Sequence, residues 1–450
     1  MVFLENEDLP REVHMSVDYG AYGSEKPEGY RPRVVDERIR RMLGLFGALE
    51  IRGPKWCGKS WSAYAFGESV AHIDDESIRS LVQDDLSLAL AGRRPHVIDE
   101  WQDVPRIWDA VRRSVDASGG ARGSYILTGS STPEKEKVSH SGAGRIARID
   151  MGTMSLWELG ASAGTVSLAG LFEGEFTPAP TDATALEPIA EAVCRGGWPA
   201  LMNTSSADAQ EALGEYLEAL FEVSVPKKGG TTAMARRIAA SLARNDATSA
   251  TIDTIAKDAL GPSGSSPSAS TISFYLDMFR GFYLLNELPG WDAPVRAKSR
   301  VRTKPKRYLA DPSLTASLLG ASPARLLSDG QTFGLLFESL CVHDLAVYVS
   351  ALPGAPRNPL RYYSDADGLE VDVVIELGDG RWAAIEIKLG ESKVPQAIGN
   401  LRRLCNKVGS NPAARNPQPE FTAVLTATAP FCRRDPESGT YVFPLAALRP

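Results

Sequence analysis

Residues Gly53-Pro54-Lys55-Trp56-Cys57-Gly58-Lys59-Ser60 spell G-x-x-x-x-G-K-S, and no other segment constrains the chain as much. The octapeptide lies between a run with strand character, Ala48-Leu49-Glu50-Ile51-Arg52, and a run with helix character, Ser60 to Phe66. Its glycines let backbone N–H groups curl around a polyphosphate, with the positive end of the following helix behind them. Lys59 is then placed to reach the β- and γ-phosphates, and Ser60 to offer its hydroxyl to Mg²⁺. The whole octapeptide is therefore the expected binding segment, with ATP and Mg²⁺ as its ligands.

An adjacent pair of acids supplies what hydrolysis needs. Asp99 and Glu100 end the apolar run Pro95-His96-Val97-Ile98, 40 residues beyond Lys59. Asp99 is expected to hold Mg²⁺ through water, and Glu100 to polarise the attacking water. A third apolar run, Ser124 to Ser131, ends in hydroxyls, so Ser130 or Thr128 is the candidate sensor of the γ-phosphate. Ordinary turn chemistry after a buried strand is the alternative. Arg145, in the glycine-rich stretch Ser141 to Arg148, is the candidate cation for charge developing on the phosphoryl oxygens. It would act within its own chain or on a neighbouring subunit of a homo-oligomer.

Composition sets the remaining bounds. At 450 residues and 43% hydrophobic, the chain has material for several cores and about three domains. A net charge of −7 gives no bulk attraction to nucleic acid or anionic membrane, so any such site is a local patch. The five cysteines are scattered and lack metal-ligand spacing, as expected of reduced cytoplasmic thiols. The acidic amino terminus is not a signal peptide, and no run reaches the ~20 apolar residues of a membrane span. A cytoplasmic protein without a membrane partner is expected.

Along the chain, residues 1–30 read as a mobile arm and 31–173 as an α/β nucleotide domain. Residues 174–225 read as a linker and helical extension. Residues 226–307 contain three helical stretches, the last passing into a strand, which is a winged-helix outline. The unit ends in a run where every second residue from Arg296 to Arg302 is basic. On a strand, Arg296, Lys298, Arg300 and Arg302 would share one face. They are then either DNA-phosphate contacts or a solvated edge. Residues 308–450 form another α/β unit, with two strands joined by a tight turn at Gly378-Asp379-Gly380.

The order of these segments resembles the AAA-type ATPases of bacteria and archaea that carry a C-terminal domain of unknown function. The matching text is Glu50–Ser60, Ile98-Asp99-Glu100-Trp101-Gln102, Leu127-Thr128-Gly129-Ser130-Ser131, Gly144-Arg145 and Met154-Ser155-Leu156-Trp157-Glu158. Pro305 to Pro312 and Phe333 to Glu338 match downstream. The resemblance covers roughly residues 30 to 410 and implies ATP binding with a nuclease-like C-terminal fold. The sensor position departs from it, lacking the asparagine of better-known AAA enzymes.

Glu338 lies in a helical run, Asp372 in one strand, and Glu386 and Lys388 in the next. This pattern resembles the acid…D…E-x-K arrangement of restriction-endonuclease-like folds. Glu386 and Lys388 are two apart on a strand and share a face. Asp372 and Glu386 would hold Mg²⁺, Glu338 would support them, and Lys388 would stabilise developing charge. Exposed strands also carry Glu-x-Lys as a plain charge pattern. Gln396, on the following helix, is a lone candidate DNA contact. The expected protein is a Mg²⁺-dependent ATPase with DNA as its partner. A nucleotide-gated protein scaffold and an active ATP-regulated nuclease are the rivals.

Overall fold

The computed structural model describes residues 27–131, 141–260, 264, 266–294 and 296–450, with backbone only at 301 and 302. The arm expected over residues 1–30 lies outside them as far as residue 26.

Strands β1 (Ala48–Arg52), β2 (Ser69–His72), β3 (His96–Asp99), β4 (Tyr125–Gly129) and β5 (Ile146–Asp150) form a parallel sheet ordered β2-β3-β4-β1-β5. β3 and β4 are buried along their whole length and β1 along all but Arg52. Covered on both faces, they read as continuous apolar runs and not as alternations. The helices Asp36–Leu43 and Lys59–Phe66 pack Ile39 and Ala63 against Leu49, Ile51, Val97 and Ile126. The helix Ile107–Ala117 packs Trp108 and Val111 against Ile98 and Leu127 on the other face. With β4 between β1 and β3, the phosphate loop and the acid pair leave the same sheet end side by side. Ligands of open α/β sheets bind at such a crevice.

His96 opens β3 fully buried, its Nδ1 2.7 Å from Ser69 Oγ. Burial first, then the charge of Arg94, pulls its pKa down to about 4. A depressed folded pKa means stability that is present above the ordinary value of 6.5 and is lost as pH falls through 4. The expected loss is up to about 3 kcal/mol. It is read from denaturant midpoints across that range, and the fall should be missing from His96→Gln.

Two short strands, β6 (Val166–Ser167) and β7 (Ala179–Pro180), lead away from this sheet. The helices Glu187–Arg195, Ser206–Ala219, Thr232–Arg244, Ile252–Asp258 and Ala269–Gly281 follow, and an antiparallel ribbon of β8 (Leu285–Leu288) and β9 (Lys306–Leu309) closes the series. Ser205, Thr251 and Ser268 cap three of these helices by accepting from backbone N–H groups. A π-helical turn, Leu220–Ser224, interrupts the run between Ala219 and Val225. The core here includes Leu213, Phe221, Ile238, Ile255, Ile272 and Phe279. Leu314, on the helix Pro312–Leu319, joins the same core, so this packing unit continues beyond residue 307.

The basic strand expected over 296–302 does not form. Ser299–Arg302 is a short helix, and strand structure begins only at Lys306, after Pro305, whose nitrogen cannot donate to a ladder. The cations also part company. Arg300 forks onto Glu376 with two bonds of 2.7 Å, while Arg296 and Lys298 stay exposed. Only the backbone of Arg302 is described.

The carboxy-terminal strands are β10 (Leu360–Ser364), β11 (Glu370–Glu376), β12 (Trp382–Lys388), β13 (Phe421–Thr426), β14 (Phe431–Arg434), β15 (Tyr441–Pro444) and β16 (Leu448–Arg449). The main sheet is ordered β10-β11-β12-β13-β15-β14-β7. β10, β11 and β12 are antiparallel neighbours, whereas β12, β13 and β15 run parallel, with the helix Val394–Gly409 crossing over between β12 and β13. Gly380, at φ 89°, makes the turn between β11 and β12. The start of the stretch expected as linker and helical extension, 174–225, supplies β7, an edge strand where Pro180 withholds no needed donor. β16 pairs with β6.

The helix Gly330–Val349 lies in the core of the carboxy-terminal unit. By length and composition it is apolar enough to cross a membrane, with mean hydropathy 1.4, yet 61% of that window is buried in the protein. Phe333, Phe337, Leu345 and Tyr348 pack beneath Val373, Ile385 and Leu425 of the sheet. Core burial explains its composition.

Candidate active site

A cleft of about 1050 Å³ opens where β1, β3 and β4 end. Its floor is the phosphate loop. A Cβ at Gly53 would lie 2.0 Å from the Met151 carbonyl oxygen, so the loop passes β5 only as glycine. Trp56 and Gly58 adopt φ of 69° and 98°, which turns the backbone into a cradle. Lys59 is buried and donates to Pro54 O at 2.8 Å, inside the curl where a phosphate would compete for it. Pro54 and Cys57 are buried, and the Cys57 thiol donates to Met151 O at 3.6 Å, so Cys57 offers only backbone to a ligand. Lys55 is exposed at the rim, and half-exposed Trp56 stacks on Tyr216 at 6.0 Å.

Ser60 Oγ donates to Asp99 Oδ1 at 3.0 Å. Thr128 Oγ1 and Tyr64 OH donate to the same carboxylate, which is thereby fixed in place. These are hard oxygen donors at a helix amino terminus, the chemistry Mg²⁺ takes, and the residues fit it. Glu100 sits at φ 52°, a left-handed conformation unusual for a non-glycine, which turns its side chain off the strand end. Its Oε2 accepts from Ser130 Oγ at 2.9 Å and from Gln102 Nε2. The two candidate sensor hydroxyls thus divide, Thr128 to Asp99 and Ser130 to Glu100.

Arg145 is not brought to the cleft. Its guanidinium pairs with Asp116 at 2.8 Å, about half exposed, and it is absent from the lining. Sequence reasoning missed Arg33, which is 5% exposed. It donates to Cys57 O (3.0 Å), Gly152 O (3.1 Å), Thr153 O (3.0 Å) and Glu158 Oε1 (2.9 Å). Burial raises the Glu158 carboxyl, but Arg33 and N–H donors from Ser155 and Val34 more than offset it and leave its pKa below the usual range. This clasp ties the loop backbone to the Ser155-Leu156-Trp157-Glu158 segment. Tyr30, Tyr216, Lys227 and Lys228 also line the cleft, the last three from the helical unit. No spacing in the sequence connects them to the loop.

The second candidate site is also assembled by the fold. Lys388 Nζ lies 2.9 Å from Asp372 Oδ2 and 2.5 Å from Glu386 Oε2. Lys306, from β9, reaches Glu338 at 2.9 Å, Glu370 at 2.7 Å and Asp372 at 3.8 Å, with its side chain 3% exposed. Burial and then the neighbouring Asp372 raise the Glu338 pKa to about 7 and the Glu386 pKa to about 8. Burial raises Asp372 too, but Lys388 and Lys306 outweigh it and hold its pKa low. Asn400 Nδ2 donates to Glu386 Oε1 at 3.0 Å, whereas Gln396 is exposed and takes no part. Among the described residues no group of three or more His, Cys, Asp and Glu is arranged to hold a metal ion. Here two ammonium groups, Lys306 and Lys388, stand among four carboxylates, Glu338, Glu370, Asp372 and Glu386.

Residues 46–160 match the family described as AAA domain. This is a P-loop AAA-type ATPase domain. Residues 186–325 match a domain of unknown function, DUF8612, and residues 333–447 another, DUF4143. No curated protein matches the chain. Among solved structures, the chain is similar to the Walker-type ATPase of Pyrococcus abyssi at 13% identity and TM-score 0.41, over 66% of this chain and 98% of that one. It is similar to the replication initiator DnaA bound to AMPPCP and single-stranded DNA at 14% identity and TM-score 0.27, over 55% and 86%.

Proposed function

We propose that this protein is a Mg²⁺-dependent ATPase whose nucleotide cycle acts on a DNA-docking carboxy-terminal half. The observation that carries the ATPase reading is the convergence of Lys59, Ser60, Asp99, Glu100 and Ser130 on one cleft. Ser60 and Asp99 would hold Mg²⁺, which would supply neutralisation of the phosphate charge. Lys59 exchanges the Pro54 carbonyl for phosphate oxygens. Glu100 Oε1 is left to accept the proton of an attacking water, while Ser130 and Gln102 hold Oε2 and set the carboxylate's direction.

The helices 232–244, 252–258 and 269–281 with the β8–β9 ribbon support reading that unit as winged-helix-like. The β10–β15 sheet, its crossover helix and the Glu338, Asp372, Glu386 and Lys388 constellation support a restriction-endonuclease-like fold for the last unit. The ammonium group of Lys306, which the expected arrangement does not include and which pairs with Glu338 and Glu370, favours docking over cleavage. Among the described side chains of Arg296 to Arg302, Arg296 and Lys298 are the exposed cations, and they are the contacts assigned to DNA phosphates. ATP turnover titrated with duplex DNA tests the reading and should rise with DNA. Replacing Arg296 and Lys298 by alanine should flatten the slope of log affinity against log salt by about 0.9 per lost contact. Turnover indifferent to DNA at every salt would hand the protein to the scaffold reading, and nicking of plasmid in Mg²⁺ or Mn²⁺ to the nuclease reading.

A further inference from the structure

Behind the phosphate loop, on the side away from the ATP cleft's acid pair, lies a second cavity of about 380 Å³. One wall is Arg52-Gly53-Pro54 with Asp150 to Gly152; the others come from the β8–β9 ribbon, the helix Gly330–Val349 and the segment 357–360. Its charges do not balance. Arg33 is taken by Glu158 and Arg148 by Glu50, while Glu287 is taken by Arg280 and Arg307. What remains is one carboxylate, Asp150, facing three guanidinium groups. Arg52 forks onto it, with Nη2 at 3.3 Å from Oδ2, and Arg357 Nη2 reaches the same Oδ2 at 2.9 Å. Arg38 is the third, and its buried Nε hydrogen-bonds to nothing among the described residues. Burial first, then the like charges of Arg41 and Arg357, press the Arg38 pKa down.

Three arginines around one carboxylate, two of them in contact with it, carry a surplus of two positive charges, and a desolvated N–H donor without an acceptor is costly to keep. We propose that this cavity is a binding site for a dianionic phosphate group, with Arg38, Arg52 and Arg357 as its ligands. Guanidinium forks match phosphate oxygens in geometry and charge, and a dianion cancels the surplus completely. The volume lies at the small end of ligand pockets, sized for a phosphate, a pyrophosphate or a small phosphorylated molecule. Arg52 continues directly into Gly53, so an occupant of this site touches the same backbone that cradles ATP. The ring of Tyr283, 5.9 Å from the Arg52 guanidinium, closes one side.

The test uses the full chain carrying Lys59→Ala, which silences the phosphate loop. Calorimetry with orthophosphate, pyrophosphate and adenosine monophosphate, in salt near the physiological level, reads the second site alone. One of the three should bind at one per chain with submillimolar Kd. Arg357→Gln, at an exposed position, and Arg38→Gln should each weaken it by about tenfold or more. The best of the three probes tells a bare phosphate from one carried on a nucleoside. No binding of any probe at millimolar concentration overturns the proposal, and so does binding that neither arginine substitution weakens. Binding of a DNA duplex through these arginines, with none of the small anions, overturns it in favour of a nucleic-acid contact.

Discussion

Glu100→Gln is expected to slow ATP turnover by about 10²–10⁴-fold while leaving nucleotide affinity nearly unchanged. The substitution keeps the shape of the side chain and an oxygen able to accept from Ser130, which sits 2.9 Å from Oε2. It removes the negative charge and one acceptor, the features that draw a proton from water. Lys59→Ala should behave oppositely. Among the described residues that ammonium is held by the Pro54 carbonyl, 2.8 Å away, and it is the buried side-chain cation within the loop. Without it the phosphates lose their main charge partner, and binding itself should fail. Trp56 fluorescence supplies the affinity readout, because the indole is half exposed in the loop and stacked on Tyr216. Steady-state phosphate release supplies the rate. Undiminished turnover in Glu100→Gln would remove the acid pair from the mechanism, and unchanged affinity in Lys59→Ala would move the nucleotide elsewhere.

The difference between the legible and illegible parts of this molecule is one of sequence distance. β1 occupies Ala48–Arg52, the residues its apolar run marks out, and β3 and β4 likewise follow their runs. Strand, loop and helix are contiguous there, so local pattern and function coincide. The same holds for the β11–β12 hairpin, where Gly380 meets the turn's demand for positive φ. Arg33 was invisible because its four acceptors lie 24 to 125 residues away, and no local pattern announces a guanidinium that will clasp distant carbonyls. The basic run misled for a related reason. Alternation of charge is a surface property only while every side chain stays at the surface. Arg300 finds Glu376, 76 residues on, and Lys306 finds one acid on the helix Gly330–Val349 and two on β11. Lys227 and Lys228 reach the ATP cleft because a helix from another unit ends beside it, after a π-helical turn of the kind often found at functional sites.

Lys306→Met should cost the protein about 3–5 kcal/mol of stability, the range for removing one partner of a buried ion cluster. The ammonium is 3% exposed and faces Glu338, Glu370 and Asp372 from β9, so it ties the ribbon to the carboxy-terminal sheet. Methionine fills the same volume and isolates the charge. Left behind are carboxylates that repel one another, with Glu338 already raised to a pKa of about 7 by burial and by Asp372. A raised carboxyl pKa contributes stability that is present below the ordinary value of 4.5 and is lost as pH rises through 7. Removing Lys306 pushes Glu338 higher still, because the ammonium is what lowers it. The deficit of Lys306→Met should therefore be largest above pH 7 and shrink on acidification, as Glu338 takes up a proton and remains hydrogen-bonded to Tyr308 OH at 2.9 Å. Adding Glu338→Gln to Lys306→Met should recover part of the loss at neutral pH, since one of the stranded charges is gone. Denaturant midpoints of the two single variants and the double variant, taken at acid and alkaline pH, measure the coupling directly. A deficit that is small and independent of pH would mean that water reaches the cluster and screens it. Equal losses in the double variant and the sum of the singles would mean that Lys306 and Glu338 act apart, and the ribbon is then held by its backbone pairing alone.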